Sequence, residues 1–427
     1  MVRLLLILIA LCLSVPAYAE QFSFEDQEIE KKIWYLGGYA EARPGVNLVD
    51  RAAAQTRLRH YGRQIDDAMV DFNGKLLLEG GLEKGWAKLF LQPSLDYLNN
   101  RQSDYLRLSW YEAWLQVKPS DSFKALVGKR SLKWGKGYAW NPVAFFDRSK
   151  NPDDPELSLE GYWLATADLI RSFDGPLKTV ALTPLILPQE HDLNREFGVG
   201  NHLNWGGKLY LLLYDTDIDL IVSGKGSRSA AYGIDFSRNL TTNFELHGEL
   251  AWTVDAGRPL ISGNGQGAQW RGDSISWLAG LRYLTERDTT YIVEYYRNAN
   301  GYTVDQTATY YRQVEQAWNS WQQTGQASGL QRLAQIPSYT RVAAMRDYLY
   351  ARVSQKEPYD ILYFTPALTA IANLQDKSLS IAPELLYTGI TNLELRLKGT
   401  AVVGAPRSEY GEKQNDARIE LRVRYYF

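Results

Sequence analysis

Along most of the chain, apolar and polar residues alternate one by one. In DARIELRVRYYF (416–427), Ala417, Ile419, Leu421, Val423, Tyr425 and Phe427 fall at one parity. Asp416, Arg418, Glu420, Arg422, Arg424 and Tyr426 fall at the other. A strand points successive side chains to opposite faces, so this segment separates an apolar face from a charged one. TNLELRLKGTAVVG repeats the pattern, with Leu393, Leu395, Leu397 and Ala401 opposite Glu394, Arg396 and Lys398. NFELHGELAW sets Phe244, Leu246, Leu250 and Trp252 against Glu245, His247 and Glu249. SISWLAGLRYL and TDIDLIV behave alike, the latter with Ile218, Leu220 and Val222 against Asp217 and Asp219. One such segment suits any half-buried sheet. Recurrence in segments of roughly ten residues, with charges opposite apolar residues each time, is the signature of a transmembrane antiparallel β-barrel.

Short and long connections alternate as well. Tight turns are expected at KPSDS (118–122), FDGP (173–176), RNLT (238–241), TERD (285–288), KEPYD (356–360) and TGIT (388–391). Long links are expected near 134–160, 188–205, 254–273, 300–343 and 402–414. Outer-membrane barrels have short periplasmic turns, longer outer loops and an even strand number. The segments start near residues 32, 71, 85, 104, 122, 161, 177, 206, 217, 229, 242, 275, 289, 344, 359, 377, 391 and 415, which predicts eighteen strands, with sixteen as the alternative. AAAQTRLRHYGRQ (52–64) is assigned to the first outer loop or to an extension of a neighbouring strand.

One stretch departs from the alternation. ATYYRQVEQAWNSWQQTGQASGLQRLAQ (308–335) carries Tyr311, Val314, Ala317, Trp318 and Trp321 at helical spacing and almost no β-branched residues. The spacing predicts one or two short helices in an outer-loop insertion at about 305–340. Their aromatics would pack over the barrel rim, or else form a lid or a docking surface for periplasmic or surface partner proteins.

Composition narrows the class. Arg3, the apolar run Leu4–Val15 and the small-x-small AYA (17–19) form a secretory leader, with cleavage expected after Ala19. Residues 20–31 would then be a periplasmic N-terminal segment and 32–427 the barrel. Cys12, the only cysteine, falls inside the leader, so the exported chain has no disulfide, thiolate metal site or covalent haem. No later apolar run reaches about 18 residues, which excludes helical membrane spans. Lys and Arg number 47 against 49 Asp and Glu, a net charge of -2 that argues against nucleic-acid binding. The 28 Tyr and 13 Trp suit interfacial girdles.

Charge is densest in GKRSLKWGKGYAWNPVAFFDRSKNPDDPE (128–156). Lys129, Arg130, Lys133, Lys136, Arg148 and Lys150 are crowded there with Asp147, Asp153, Asp154 and Glu156. Three readings stay open: a solvated outer loop, a loop folded into the lumen as a constriction, or a Ca²⁺ site in the 147–156 loop. The preceding strand places Glu112, Trp114 and Gln116 on the lumen face. No other cofactor is expected. The four histidines, His60, His191, His202 and His247, lack an adjacent nucleophile and orienting partner, so no catalytic residues are assigned and the chain is not expected to be an enzyme.

GYAEAR (38–43), YEAW (111–114), GKRSLKWGKG (128–137) and GAPRSEYG (404–411) together resemble a recurring set in uncharacterised Gram-negative outer-membrane proteins. These are loosely grouped with porins and alginate-export-like barrels. The likeness spans most of the chain, with Lys129-Arg130 where the family often has Arg-Gln, and Tyr410 for Phe. It implies an outer-membrane barrel of porin or exporter type, without implying a substrate. The expected function is a channel for passive passage of small polar solutes, lined by Arg396, Lys398, Arg418, Arg422 and Arg424 facing Glu245, Glu249, Glu394 and Glu420. A conduit serving partner proteins in polysaccharide export or a redox complex is the alternative. Lipid and lipopolysaccharide would surround the apolar face. Tyr425 and Phe427 would supply the terminal signal read by the barrel-assembly machinery.

Overall fold

The computed structural model describes residues 32–100 and 103–427; the expected leader (1–19) and segment 20–31 lie outside the described residues. The chain order begins β1 (Trp34–Val49), α1 (Ala54–His60), β2 (Ala68–Lys84), β3 (Ala87–Asn99), β4 (Asp104–Ser120) and β5 (Phe123–Arg130). It continues with β6 (Tyr162–Ser172), β7 (Leu177–Gln189), β8 (His202–Leu213), β9 (Thr216–Ser223), β10 (Ala231–Thr241) and β11 (Phe244–Ile261). Then come β12 (Gly267–Leu284), β13 (Thr289–Arg297), α2 (Val304–Thr324), α3 (Ser328–Ala334) and β14 (Asp347–Gln355). The last strands are β15 (Phe364–Asn373), β16 (Ser378–Ile390), β17 (Leu393–Val403) and β18 (Asn415–Tyr426).

Each strand pairs antiparallel with the next, and β1 pairs with both β2 and β18, so the eighteen strands close on themselves. Closure leaves no sheet edge with unpaired N–H and C=O groups. The closing register matches like with like: Ala42 lies opposite Val423 and Val46 opposite Ile419, while Glu41 lies opposite Arg424 and Asn47 opposite Arg418. At the turn end, Gly38 and Phe427 exchange backbone hydrogen bonds of 3.0 and 3.1 Å.

The two faces separate as the alternation predicts. Ile419 and Leu421 point outward and are 61% and 41% exposed, whereas Arg422 between its apolar neighbours is only 5% exposed. Outward aromatics mark both ends of the apolar band. Trp34, Tyr214, Tyr283 and Phe427 lie near the short turns; Trp110, Trp163, Trp205 and Tyr232 lie toward the long loops. No helix among the described residues is long and apolar enough to cross a membrane.

One expected long link is corrected. Residues 254–273 are mostly strand: β11 and β12 run to 18 residues each, and only 262–266 connect them. The register shifts between Thr253 and Ala256, where Asp255 takes a φ of 50°. An extra residue there reverses the parity, so the alternation breaks in the sequence while the strand continues.

At the loop end, 52–64 forms the helical turn α1 inside the first long loop. The helices α2 and α3 arise where spacing predicts them. Thr303 and Gln306 form a capping box at the start of α2, and Gly325 closes it in the left-handed conformation. Leu58, Tyr310, Tyr311, Val314, Leu330 and Leu333 form a small core of their own, with Tyr339 stacked between Tyr302 and Tyr310 at centroid distances of 3.7 and 4.2 Å. The 404–414 loop ties this cap down. Glu412 accepts from the Ala54 N–H at 2.6 Å, Arg407 pairs with Glu315 at 2.9 Å, and Tyr348 donates to the buried Glu409.

Candidate permeation path

The link 131–161 does not stand in solvent. It folds across the interior in two arms, and the two are held by different forces. The first arm is anchored by packing and by inward carboxylates. Trp134, Val143 and Phe146 join Trp114, Leu126, Tyr162, Leu185 and Phe197 in one apolar cluster. Trp140 stacks on Tyr296 at 5.2 Å and meets Tyr348 and Tyr350.

Glu249 of β11 then accepts from the backbone N–H groups of Lys136 (2.6 Å), Gly137 (2.7 Å) and Val143 (3.3 Å), and from Asn141 Nδ2 (2.8 Å). Glu294 of β13 accepts from the Ala139 N–H at 2.8 Å, from the Tyr138 N–H and from the His247 ring at 2.9 Å. Gly135 (φ 96°) makes this approach feasible: a Cβ there would lie 2.8 Å from Glu249 Oε1. Within the loop, Asp147 accepts from the Leu132 N–H at 2.7 Å and from the Trp134 N–H and Ser131 Oγ at 3.1 Å.

The second arm, 151–156, reaches the opposite wall, built by β17, β18 and β1. Lys398 Nζ donates to the Asp153 carbonyl, Arg422 pairs with Asp154, and Arg396 lies 3.4 Å from Glu156. Burial pushes the Asp153 carboxyl above its ordinary range, and Lys398 and Lys413 offset this only in part. For Asp154 burial acts the same way, but Arg422, Lys398 and Arg396 outweigh it and hold the carboxyl below its ordinary value.

Two polar cavities flank this arm. One, of about 380 Å³, lies toward the cap and is bordered by Arg43, Arg59, Lys398, Lys413 and Arg418. The other, of about 420 Å³, lies toward the turn end beside Tyr138, Glu245, Arg352 and Arg396. Asp153 and Asp154 stand between them and border both cavities, while Arg422 borders the first and Arg396 the second.

The expected lining residues sort unevenly. Arg396, Lys398, Arg418, Arg422 and Arg424 do face inward on adjoining strands. Glu394 and Glu420 do not oppose them; they stand in the same wall and pair with them, Glu394 with Arg396 at 3.4 Å and Glu420 with Arg418 at 2.9 Å. Glu245 and Glu249 lie on the far wall, and Glu249 is taken up by the loop. Glu112 faces inward, accepting from Trp114 Nε1 at 2.8 Å, and Arg130 stacks over Trp114.

Lys129 is a correction. It shares the outward face of Val127 and of its cross-strand neighbour Trp163, and it pairs with Glu160 at the loop end. The loop cations also hold structure, although Lys136 and Lys150 border the turn-end cavity as well. Lys136 bridges toward Asp219 at 3.0 Å, Arg148 pairs with Glu196 and Glu160, and Lys150 donates to the Gly137 carbonyl at 2.7 Å. Lys133 is exposed. The carboxylates weighed for Ca²⁺ are dispersed: Asp147 serves the loop backbone, Asp154 meets Arg422 and Glu156 meets Arg396. Among the described residues no group of three or more acidic, His or Cys side chains converges on a metal position.

Several partners escaped the sequence reading. Glu41 receives Arg424 at 2.6 Å, Asp71 receives Arg418 at 2.9 Å, and Glu384 receives Arg352 at 3.1 Å. Asp235 is fully buried beside Asp219 and Lys136. Each is a single acid at an inward parity, so alternation alone could have placed them, though not paired them.

Closure, strand number and an inward-folded loop define the class: a porin-type, eighteen-stranded β-barrel. No family model and no curated protein sequence matches the chain. Among solved structures it is similar to Pseudomonas aeruginosa OccK5 (OpdH), with a TM-score of 0.54 and 12% identity over 92% of this chain and 97% of that one. It is also similar to Pseudomonas aeruginosa OccK11 (OpdR), again at 0.54 and 12%, over 92% and 95% of the two chains. A triple mutant of Rhodopseudomonas blastica porin aligns more loosely, at 0.45 and 12% over 92% and 100%. At such identity the likeness is one of fold, and the alginate-export branch of the sequence resemblance gains nothing from it.

Proposed function

We propose that this chain is an outer-membrane channel of a Gram-negative bacterium through which small polar solutes diffuse. What supports the reading is the barrel itself: a closed wall with an apolar, aromatic-rimmed exterior, charged side chains at the opposite parity and two polar cavities of about 380 and 420 Å³ inside it. Nothing in a soluble protein would favour a continuous outward apolar band around a charged interior, whereas lipid outside and water inside favour both. The loop 131–161 narrows the path, and its two arms lie between an acidic wall (Asp219, Asp235, Glu249, Glu294) and a basic one (Arg396, Lys398, Arg418, Arg422). Solutes passing the loop are sorted first by size and then weakly by charge, because most of these side chains are already paired. Purified protein in liposomes should admit small sugars and amino acids in a swelling assay, with a rate that falls steeply with solute size. Absence of both swelling and ion conductance in planar bilayers refutes the reading.

A further inference from the structure

The two arms of the lumen loop differ in what would release them. The first is fixed by a buried apolar cluster and by backbone N–H groups seated on Glu249 and Glu294, contacts that water and salt replace poorly. Apart from the buried Pro152, what holds the second arm to the β17–β18 wall is charge. Lys398 holds the Asp153 carbonyl, Arg422 the Asp154 carboxylate and Arg396 the Glu156 carboxylate, whose side chain is 69% exposed. The arm is also internally stiff. Pro152 and Pro155 restrict its backbone, Asn151 Oδ1 accepts from the Asp153 N–H at 3.1 Å, and the Asn151 carbonyl accepts from the Asp154 N–H at 3.0 Å. Its ends are pinned, by Lys150 to the Gly137 carbonyl and by Glu160 to Lys129 and Arg148. A stiff segment with fixed ends, seated by ionic contacts between two polar cavities, has the construction of a latch.

We propose that Arg396, Lys398 and Arg422 form an oxyanion site in the channel wall, whose resident occupants are the loop's own Asp154 and Glu156 carboxylates. A permeating oxyanion takes their place, the 151–156 arm leaves the wall, and the two cavities become one path. The inference rests on the channel reading. The chemistry recognised is that of a carboxylate or phosphate, since either oxygen set accepts the guanidinium and ammonium donors that Asp154 and Glu156 now occupy. A carboxylate on a short flexible tether competes at an effective concentration on the order of millimolar, and this arm is stiffer, so a free oxyanion displaces it only above millimolar levels. Chloride at equal ionic strength screens the contacts without replacing their hydrogen bonds, and displaces the arm less.

The test compares the full chain with the double variant Asp154→Asn, Glu156→Gln in planar bilayers at constant ionic strength, adding inorganic phosphate or succinate to a chloride electrolyte. Wild-type conductance should rise at least about two-fold and saturate, as two polar cavities merge into one water-filled path. The double variant should start at the higher level and ignore both anions. A response to phosphate alone identifies a phosphate-type ligand; a response to succinate alone identifies a carboxylate; either supports the site. A fall in wild-type current on adding the anions, or a variant indistinguishable from wild type, overturns it while leaving the channel reading intact. Spin labels at Ser158→Cys and Thr400→Cys give a second readout that needs no conductance. Their separation should lengthen on adding phosphate or succinate, and an unchanged separation overturns the latch.

Discussion

Replacing Glu249 with alanine should free the first arm of the lumen loop without opening the barrel. Its carboxylate accepts four hydrogen bonds from the loop, three of them from backbone N–H groups. Bonds to an ionised acceptor contribute about 1.5–3 kcal/mol each, so four would sum to at least about 6 kcal/mol. The released donors border a wet lumen and can turn to water, so we expect roughly half of that, about 3 kcal/mol, to be lost from the loop's seated state. At about 1.4 kcal/mol per tenfold, the population with an open loop rises roughly 100-fold. Limited trypsinolysis in detergent reads this directly, because Lys133, Lys136, Arg148 and Lys150 are cleavage sites that need local opening. Glu249→Ala should be cut between 133 and 150 about 100-fold faster, while its barrel keeps its heat-modifiable migration on gels. Glu249→Gln should fall between, since one amide oxygen can keep the bonds to Lys136, Gly137 and Asn141 while the NH₂ group confronts the Val143 N–H. If Glu249→Ala is cut no faster than wild type, the apolar cluster alone seats the loop and the role given to Glu249 is wrong.

Three further outcomes are expected. Burial holds the Asp153 carboxyl above its ordinary range, so as pH falls its charge is lost earlier than that of an exposed aspartate. Reversal potentials in a KCl gradient should therefore shift toward anions on acidification, and Asp153→Asn should abolish that early step. Arg418→Met leaves Asp71 to Asn47 and Glu420 to the more distant Arg422 at the β1–β2–β18 seam, and should lower barrel stability by roughly 1–3 kcal/mol in denaturant titrations. Tyr310→Ala removes one ring of the Tyr302–Tyr339–Tyr310 stack and should loosen the 298–346 cap by about 3–5 kcal/mol. Proteolysis within α2 would show it, with the strands still protected.

The strands were legible because alternation is a local signal, and all eighteen fall where it repeats. It failed between Thr253 and Ala256, where a bulge reverses parity, and 254–273 looked like a loop as a result. The helical cap was legible from Tyr311, Val314, Ala317, Trp318 and Trp321, whose spacing is equally local. The lumen loop was visible only as a crowd of charges. Its seating depends on Glu249 and Glu294, more than a hundred residues away in sequence, and no local pattern joins a carboxylate to backbone N–H groups at that separation. Lys129 was misplaced because its charge was weighed above its parity. Strand alternation sets it beside Val127, and at the loop end an outward cation meets Glu160 instead of lipid.

The way the first arm is moored divides the freedom to vary between wall and loop. Ala139 and Val143 are buried in the packing, but Glu249 and Glu294 hold backbone N–H groups, which every residue except proline supplies, so the moorings are indifferent to the side chains at 136 and 138, which border the turn-end cavity. Those side chains can change, altering what a passing solute meets, while the constriction stays in place. The two glutamates have no such latitude. A lineage of this barrel could retune its filter one loop residue at a time and never have to refold it.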